Sequence, residues 1–277
     1  MPPASSAARL GRLALIALAM LWSGFPILLV VLSSLKPGRE IFATPPSLIF
    51  APTLEHYVRL WQVWPDFFLN MRNSLIVTIG ASLLCVACST LAGYVYARFR
   101  DRWLTASAFA MIVMRMLPPI IVTLPLFPVV NVLRINDTHI LLIALYAAFF
   151  VSLSTWIMKA FIEKIPRELE EAARVDGATL PQILVRIILP LAANGILAAA
   201  VFVVVFAWNE YVFALIFTTR VAKTTPLVIS EILSTVEGVD WGILFAAATV
   251  QLAPILVFVI AVQRYLITGL AAGSLKG

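Results

Sequence analysis

Six long apolar runs dominate this sequence and limit the folds open to it. They cover residues 13–35, 74–97, 103–127, 140–158, 192–217 and 243–266. Each run is close to the roughly 20 apolar residues that an α-helix needs to cross the hydrocarbon core of a bilayer. The runs and their connections use up nearly all of the 277 residues. The sequence therefore predicts an all-α membrane protein with six transmembrane helices in a single domain over residues 1–277, and it excludes a self-contained soluble enzyme.

The composition agrees with a protein embedded in lipid. Only 12% of the residues are charged, against about a quarter in soluble domains. The net charge of +6 does not indicate nucleic-acid binding, because the Lys and Arg residues are scattered between apolar runs and are not gathered on one stripe. We therefore expect the lipid bilayer, and no nucleic acid, as a partner.

The basic residues instead predict how the chain is oriented. With the N-terminus in the cytoplasm, twelve of the 20 Lys and Arg residues fall in inside segments and seven in outside segments, while Arg115 lies within the third run. Cytoplasmic segments carry the excess of positive charge in membrane proteins. Since six crossings place both ends on one side, we expect the N- and C-termini to be cytoplasmic.

The sequence lacks the motifs of an ATPase and of a metal centre. None of the 12 glycines is followed by lysine, so the phosphate-binding pattern G-x-x-x-x-G-K-[ST] is absent. The two histidines, His56 and His139, lie far apart in predicted outside segments, whereas a metal centre needs clustered ligands. We expect both to be surface residues, and we expect this chain to hold no catalytic residue, no metal and no cofactor.

The predicted cytoplasmic connection over residues 159–190 has the signals of two short helices. Pro166 and the three acids that follow it favour a helix start, and Gly177 is typical of a helix end. Thr179 and Gln182 then form the pattern of a capping box. After this box, apolar residues recur with helical spacing at Leu180, Ile183, Leu184, Ile187 and Ile188.

The first of these helices has a face of small residues. Leu169, Ala172 and Ala173 are expected to share it, with Glu171 and Arg174 at its edges. Small side chains let another backbone or a groove wall come close. From composition alone, an ordinary loop helix that rests on its own bundle is an equally good interpretation.

One segment of this connection carries a specific motif. Residues 171–178 read E-A-A-R-V-D-G-A, and residues 187–190 read I-I-L-P. In identity and spacing this resembles the EAA loop of bacterial ATP-binding-cassette (ABC) importer permeases. Segments at 34–37, 73–75, 208–210 and 269–277 are similar to the shorter permease of the maltose-type carbohydrate importers. Asn194 departs from that pattern, because many relatives carry proline there, and we expect a less sharply broken start of the fifth crossing.

The resemblance implies a type I ABC-importer permease fold and a set of partners. These are a second permease subunit, two cytoplasmic ATPase subunits that hold ATP and Mg, and an extracytoplasmic solute-binding protein, in the bacterial inner membrane. By this resemblance the chain is not an enzyme. It is expected to take part in the import of a carbohydrate-class solute, which is an oligosaccharide, disaccharide, polyol or glycerol phosphate. Residues 273–277, at the end of a cytoplasmic tail over 267–277, are expected by this similarity to reach between the ATPase subunits. The coupling helix that would dock on the ATPase maps to Glu168, Glu171, Ala172, Ala173, Asp176 and Gly177.

Arg115 is a charged residue inside a predicted crossing. It lies about twelve residues into the third run, near mid-depth at ~1.5 Å per residue. An arginine there costs roughly 2.5–3.5 kcal/mol on insertion scales, so it should face the bundle or a water-filled space. Pro118, Pro119 and Pro125 follow it and are expected to kink the helix. Arg115 either lines the transport pathway or is a structural arginine paired to a carbonyl or an acid of a neighbouring crossing.

A second polar group is predicted near the outer end of the fifth crossing. It consists of Trp208, Asn209, Glu210 and Tyr211. Polar groups next to a flat ring suit a pyranose sugar, and a gate bonded to the partner permease is the other interpretation. The rival function is an ATP-independent channel or a proton-coupled carrier, in which Arg115 and Glu210 would line the ion pathway.

Overall fold

The described chain is built from helices. The structure, a computed structural model, describes residues 6–47, 49–236 and 238–274, with side chains over 11–47, 49–236 and 238–263, and these residues contain no strand. A 3₁₀ turn covers Gly38–Glu40, and a π-helical turn covers Leu184–Ile188. In chain order the helices are α1 (Ser6–Leu35), α2 (Glu55–Val63), α3 (Phe67–Arg98), α4 (Arg102–Met116), α5 (Pro119–Leu133), α6 (His139–Ile162), α7 (Glu168–Val175), α8 (Leu180–Ile183), α9 (Leu189–Leu191), α10 (Ala193–Trp208), α11 (Val212–Phe217), α12 (Thr225–Leu233) and α13 (Trp241–Ser274).

These helices form two compact units. The first holds the described residues within Met1–Phe67 and Ile229–Ala253, and the second those within Phe68–Val228 and Pro254–Gly277. The chain passes from one unit to the other within α3, α12 and α13. The single permease domain expected over residues 1–277 stays a prediction.

Six membrane crossings are compatible with the helices. Among the described residues, four helices are long and apolar enough to cross a membrane, at Gly11–Leu35, Phe67–Arg98, His139–Ile162 and Trp241–Gln263. Two further pairs of helices pass the same test together, Arg102–Met116 with Pro119–Leu133 and Leu180–Leu191 with Ala193–Trp208. The number reaches the predicted six when each pair counts as one crossing. The cytoplasmic position of the termini stays a prediction.

The third crossing is not one helix. Helices α4 and α5 are bent by 96° at Leu117–Pro118. Pro118 and Pro119 lack the N–H groups that would continue the α4 ladder, and a proline also disfavours helical dihedrals in the residue before it. The break predicted from the prolines is confirmed, and the apolar run over 103–127 is divided between α4 and α5.

The fifth crossing is broken twice. Helix α10 ends at Trp208 and α11 begins at Val212, so the apolar run over 192–217 holds two helices, a break that the sequence analysis did not predict. Its start is bent by 76° at Ala192, whose ψ of 7° is not helical. Whether Asn194 gives a weaker break here than proline gives in relatives is a comparison that this bend alone does not test, so that expectation stays a prediction.

In the first unit, polar contacts hold α2. His56 is 2% exposed, and its Nε2 donates to the Lys36 carbonyl oxygen at 2.8 Å. The expectation that His56 is a surface residue is wrong, because the backbone of Gly242 packs directly against its ring. Arg59 pairs with Asp240 at 2.6 Å, which ties α2 to the residues before α13.

In the second unit, small residues let α3, α6 and α10 approach closely. A Cβ atom at Gly93 in α3 would lie 2.7 Å from Cβ of Met158 in α6. One at Gly195 in α10 would lie 2.6 Å from Cβ of Phe161. Real Cβ atoms do not come this close, so these backbones can pack only because both positions are glycine.

A loop over residues 218–224 is fixed by two side chains of the second unit. The Asp137 carboxylate accepts hydrogen bonds from the backbone N–H groups of Arg220, Val221 and Ala222 and from the Thr219 hydroxyl, at 2.9–3.0 Å. Burial opposes ionisation of Asp137, but these bonds outweigh it and lower its pKa to about 2.

Asn73 holds the same loop from α3. Its amide donates to the carbonyl oxygens of Val221 at 2.8 Å and Lys223 at 3.1 Å, and its Oδ1 lies 2.9 Å from Nε2 of His139. His139 is half-buried by this contact and is therefore not the free surface residue that the sequence suggested.

Candidate functional site

Helix α7 ends as the sequence predicts. Gly177 has a φ of +82°, which an L side chain rarely adopts. The N–H of Gly177 donates to the Arg174 carbonyl at 3.0 Å and that of Ala178 to the Ala173 carbonyl at 2.9 Å, the bond pair of a Schellman motif. The capping box of α8 is also confirmed, since the N–H of Thr179 donates to Oε1 of Gln182 at 2.8 Å.

A buried ion pair holds α7 against the end of α3. Glu170 is 3% exposed. Its carboxylate accepts a hydrogen bond from the Tyr94 hydroxyl at 2.8 Å and pairs with Nε of Arg98 at 2.5 Å. Arg98 also donates to the Ile165 carbonyl oxygen at 3.0 Å. We call Glu170, Arg98 and Tyr94 the α7 anchor.

A second arginine strengthens this attachment from the other side. Arg167, the residue before α7, donates from Nη2 to the carbonyl oxygens of Arg98 at 3.0 Å and Ala97 at 3.3 Å. These carbonyls belong to the last turn of α3, which needs external donors because it has no further turn of helix. Arg98 at the end of α3 and Arg167 at the start of α7 thus each bind to the other helix or its neighbouring backbone.

The predicted coupling residues lie on two different sides of α7. Glu168, Glu171, Ala172 and Asp176 are exposed, and Gly177 is exposed at the turn. Ala173 is half-buried instead and packs against the protein's own cluster of buried apolar residues. The expectation that Ala172 and Ala173 serve one docking face stays a prediction, and the structure places part of Ala173 against the protein's own core.

The apolar stripe of the second short helix also points mostly inward. Ile183 and Ile188 are buried, with Leu184 and Ile187 packed against the same cluster. Leu180 is 47% exposed and departs from the stripe, because it lies at the first position of α8, before the helix reaches the core.

The sequence interpretation missed the α7 anchor. Glu170 was counted with its neighbours as an acid that favours the helix start, and Arg98 as a charge that sets orientation. The available signal was spacing, because Glu170 and Ala173 are three residues apart and therefore share one side of a helix. A carboxylate on the side that faces the protein needs a buried cation, but the sequence does not say which of the basic residues supplies it.

The four residues at the end of the fifth crossing lie together, and two of them cap helices. The Glu210 carboxylate accepts from the backbone N–H groups of Phe213 at 3.0 Å and Ala214 at 3.4 Å, at the start of α11. The Asn209 side chain donates to the Val205 carbonyl at 2.8 Å in the last turn of α10. Trp208 is 3% exposed and Tyr211 is half-buried. The sugar-stacking ring predicted at Trp208 is thus enclosed by the protein itself.

Arg115 lies in the last turn of α4 and contacts aromatic rings. Its guanidinium carbon is 4.1 Å from the centre of the Phe149 ring and 5.2 Å from that of Phe150. Both rings belong to α6. A cation over an aromatic face is attracted by the ring quadrupole, which offsets part of the cost of burial in the membrane.

The fold and this site define a class of protein, the multi-pass membrane permease. A helical chain with up to six crossings, two of them broken, presents a short anchored helix in the connection between the fourth and fifth crossings. Residues 86–271 match the family described as the binding-protein-dependent transport system inner membrane component, and the chain belongs to this family.

Curated relatives from several organisms are ABC transporter permeases. A probable ABC transporter permease of Sinorhizobium fredii, y4oR, is 36% identical over 91% of this chain and 90% of the relative. The trehalose/maltose transport system permease MalG of Thermococcus litoralis is 32% identical over 91% of each chain. Membership of this family favours the importer permease over the ATP-independent channel or carrier.

A solved structure shares the fold. A chain of a bacterial ABC transporter that imports the acidic polysaccharide alginate matches with a TM-score of 0.76, covering 96% of this chain and 99% of the other. The identity is 19%, so the match shows the fold.

Proposed function

We propose that this chain is the membrane subunit of an ATP-driven importer for a carbohydrate-class solute. The support for the solute class is the naming of relatives such as the trehalose/maltose permease. In this proposal a second permease subunit completes the pathway and an extracytoplasmic solute-binding protein delivers the solute. Two separate ATPase subunits bind ATP and Mg, and the complex lies in the bacterial inner membrane.

One observation supports α7 as the docking element for the ATPase. Its inner side is fixed by the α7 anchor, whereas its outer side is open. Leu169 is 44% exposed and Val175 is 89% exposed, with Ala172 exposed between them. Exposed apolar residues on a helix held in place by a buried ion pair form a preformed contact surface, since little conformational entropy remains to be lost on binding.

The role that follows is mechanical. Closure of the ATPase subunits would move the two docked helices toward each other, and the α7 anchor would carry this movement to the end of α3. An exposed pair such as Glu171 with a cation is worth about 0–1 kcal/mol, so the fit of Ala172 and Val175 into a groove should dominate over charge.

The pathway residues have different weights in this proposal. Arg115 faces a cavity among the membrane helices and is a candidate for solute contact. Glu210 and Asn209 cap helix ends, and Trp208 is enclosed, so a gating or positioning role suits this group better than stacking on a sugar.

The test is Ala172→Trp in the assembled importer with its ATPase and binding protein. Overpacking a fitted groove costs about 1–3 kcal/mol, so we expect uptake to fall about tenfold or more with the amount of membrane-inserted chain unchanged. The matched control is Ala106→Trp at an exposed position of α4, where tryptophan near a membrane interface is tolerated. Normal uptake by Ala172→Trp would contradict docking through α7.

A further inference from the structure

A cavity of about 400 Å³ lies in the second unit among α4, α5, α6 and α11. Its wall is apolar apart from two residues, Arg115 in α4 and Ser152 in α6. The apolar part includes Met111, Leu126, Leu145 and Phe213. Such a site resembles a ligand pocket in kind, since pockets are mostly apolar with a few polar groups that fix orientation.

The first polar group has unused hydrogen-bond donors. Within residues 11–47, 49–236 and 238–263, Arg115 makes no hydrogen bond and no ion pair, and its contacts are with the rings of Phe149 and Phe150. A ring face offsets charge but does not satisfy the five N–H donors of a guanidinium. The alternative of an arginine paired to a carbonyl or an acid therefore has no partner in the described part of this chain.

The second polar group is an independent observation on a different helix. Ser152 is 7% exposed, and its hydroxyl has no hydrogen-bond partner among the described residues. A buried hydroxyl without a partner is costly, and most such groups in proteins are satisfied. Ser152 and Arg115 are both among the residues that line this cavity.

The chemistry that would satisfy both groups is an oxyanion. The fork of a guanidinium matches the two oxygens of a carboxylate, sulfonate or phosphate, and a hydroxyl can donate to the same group. We propose that this cavity receives an oxyanion substituent of the transported solute, bound by Arg115 and Ser152. This inference rests on the proposed function and narrows the solute to an anionic saccharide.

The depth of Arg115 favours a solute over a lipid headgroup as the source of the oxyanion. Arg102 is the first residue of α4 and Arg115 is near its end, which is about 20 Å of helix at 1.5 Å per residue. The hydrocarbon core is about 30 Å thick. If α4 enters the membrane near Arg102, Arg115 lies inside the hydrocarbon core about 10 Å from the opposite surface, whereas a lipid phosphate stays at the surface.

The experiment measures the electrostatic environment at Ser152 without relying on transport. Ser152→Cys is introduced in a chain with Cys85→Ala and Cys88→Ala, assembled with cysteine-free partners in nanodiscs of neutral lipid. The rate of thiol labelling is compared for an anionic reagent, sulfonatoethyl methanethiosulfonate, and a cationic one, trimethylammonioethyl methanethiosulfonate. Arg115→Gln is the test variant, and Arg102→Gln on the same helix is its matched control.

The expected result is a preference for the anionic reagent of about tenfold or more, from the charge of Arg115 in a poorly solvated site. Arg115→Gln should bring this ratio toward one, and Arg102→Gln should leave it unchanged. Digalacturonate should slow labelling, while maltose at the same concentration should not.

Three results would overturn the inference. The first is that Arg115→Gln leaves the ratio of anionic to cationic labelling rates unchanged. The second is that digalacturonate and maltose slow labelling equally. The third is that neither reagent labels the thiol at position 152, with or without ATP. If nanodiscs of anionic phosphatidylglycerol slow labelling as much as digalacturonate does, the site binds lipid, and this result would also refute the inference. If the complex with the natural chain shows no ATP-driven uptake, that result contradicts the proposed function and not this inference, because labelling is measured without transport.

Discussion

Glu170→Gln tests the α7 anchor most directly, because it keeps the shape of the side chain and removes its charge. The Arg98 side chain is 7% exposed and would be left without a carboxylate. Removing one partner of a buried ion pair costs about 3–5 kcal/mol. The Ile165 carbonyl still accepts from Arg98, so we expect the lower end of this range, about 3 kcal/mol.

The loss should appear as local opening of α7, because the anchor joins α7 to α3 and lies away from the apolar core around Tyr146. A cost of about 3 kcal/mol corresponds to at least a hundredfold increase in the population of the open form. Hydrogen exchange of the α7 amides, followed by mass spectrometry of the chain in detergent micelles, measures this directly.

Glu171→Gln is the matched control, since it is the same substitution on the neighbouring residue but at an exposed position. Exposed substitutions usually change stability by about 0.5 kcal/mol or less, so its exchange should change by about twofold or less. The double variant Arg98→Met, Glu170→Met should recover much of the protection, because no buried charge is then unpaired. Equal exchange in Glu170→Gln and Glu171→Gln would refute the anchor.

Two further predictions concern other parts of the chain. Gly93→Ala places a methyl group 2.7 Å from Cβ of Met158, so we expect overpacking to lower the free energy of unfolding in micelles by about 1–2 kcal/mol. The control is Gly24→Ala in α1, where nothing lies within 4 Å and the free energy of unfolding should not fall. Similar losses in the two variants would contradict the close packing of α3 on α6. The stabilisation from Asp137 should be present above about pH 4, its ordinary pKa, and be lost as the pH falls through about 2, because its pKa is lowered in the folded chain. Thermal unfolding across this window should therefore show a smaller pH dependence in Asp137→Asn than in the natural chain, and an unchanged dependence would count against the carboxylate contacts.

The parts of the fold that the sequence predicts are those set by local chemistry. The length of the apolar runs predicts the crossings. The glycine at position 177 predicts the end of α7, and the Thr179 capping box predicts the start of α8. Each of these signals involves residues within a few positions of one another. Local chemistry also predicts the bend at Pro118, though not its angle.

The parts that the sequence does not predict depend on contacts between distant residues. The pairing of Glu170 with Arg98 joins positions 72 residues apart, and no local pattern specifies it. The break after Trp208 is similar, because nothing in an apolar run shows that Asn209 and Glu210 cap two helices. His56 was misassigned for the same reason, since its burial depends on the chain around Gly242 far along the sequence.

The division of α7 into a fixed side and an open side has an evolutionary consequence. Changes at Ala172 or Val175 alter what the helix touches without disturbing Glu170, so the stability of the chain places little constraint on them. A permease of this kind could adapt to the ATPase of another system through a few surface substitutions while its membrane region stayed the same. Exchange of motors between related transporters would then be limited by recognition and not by folding.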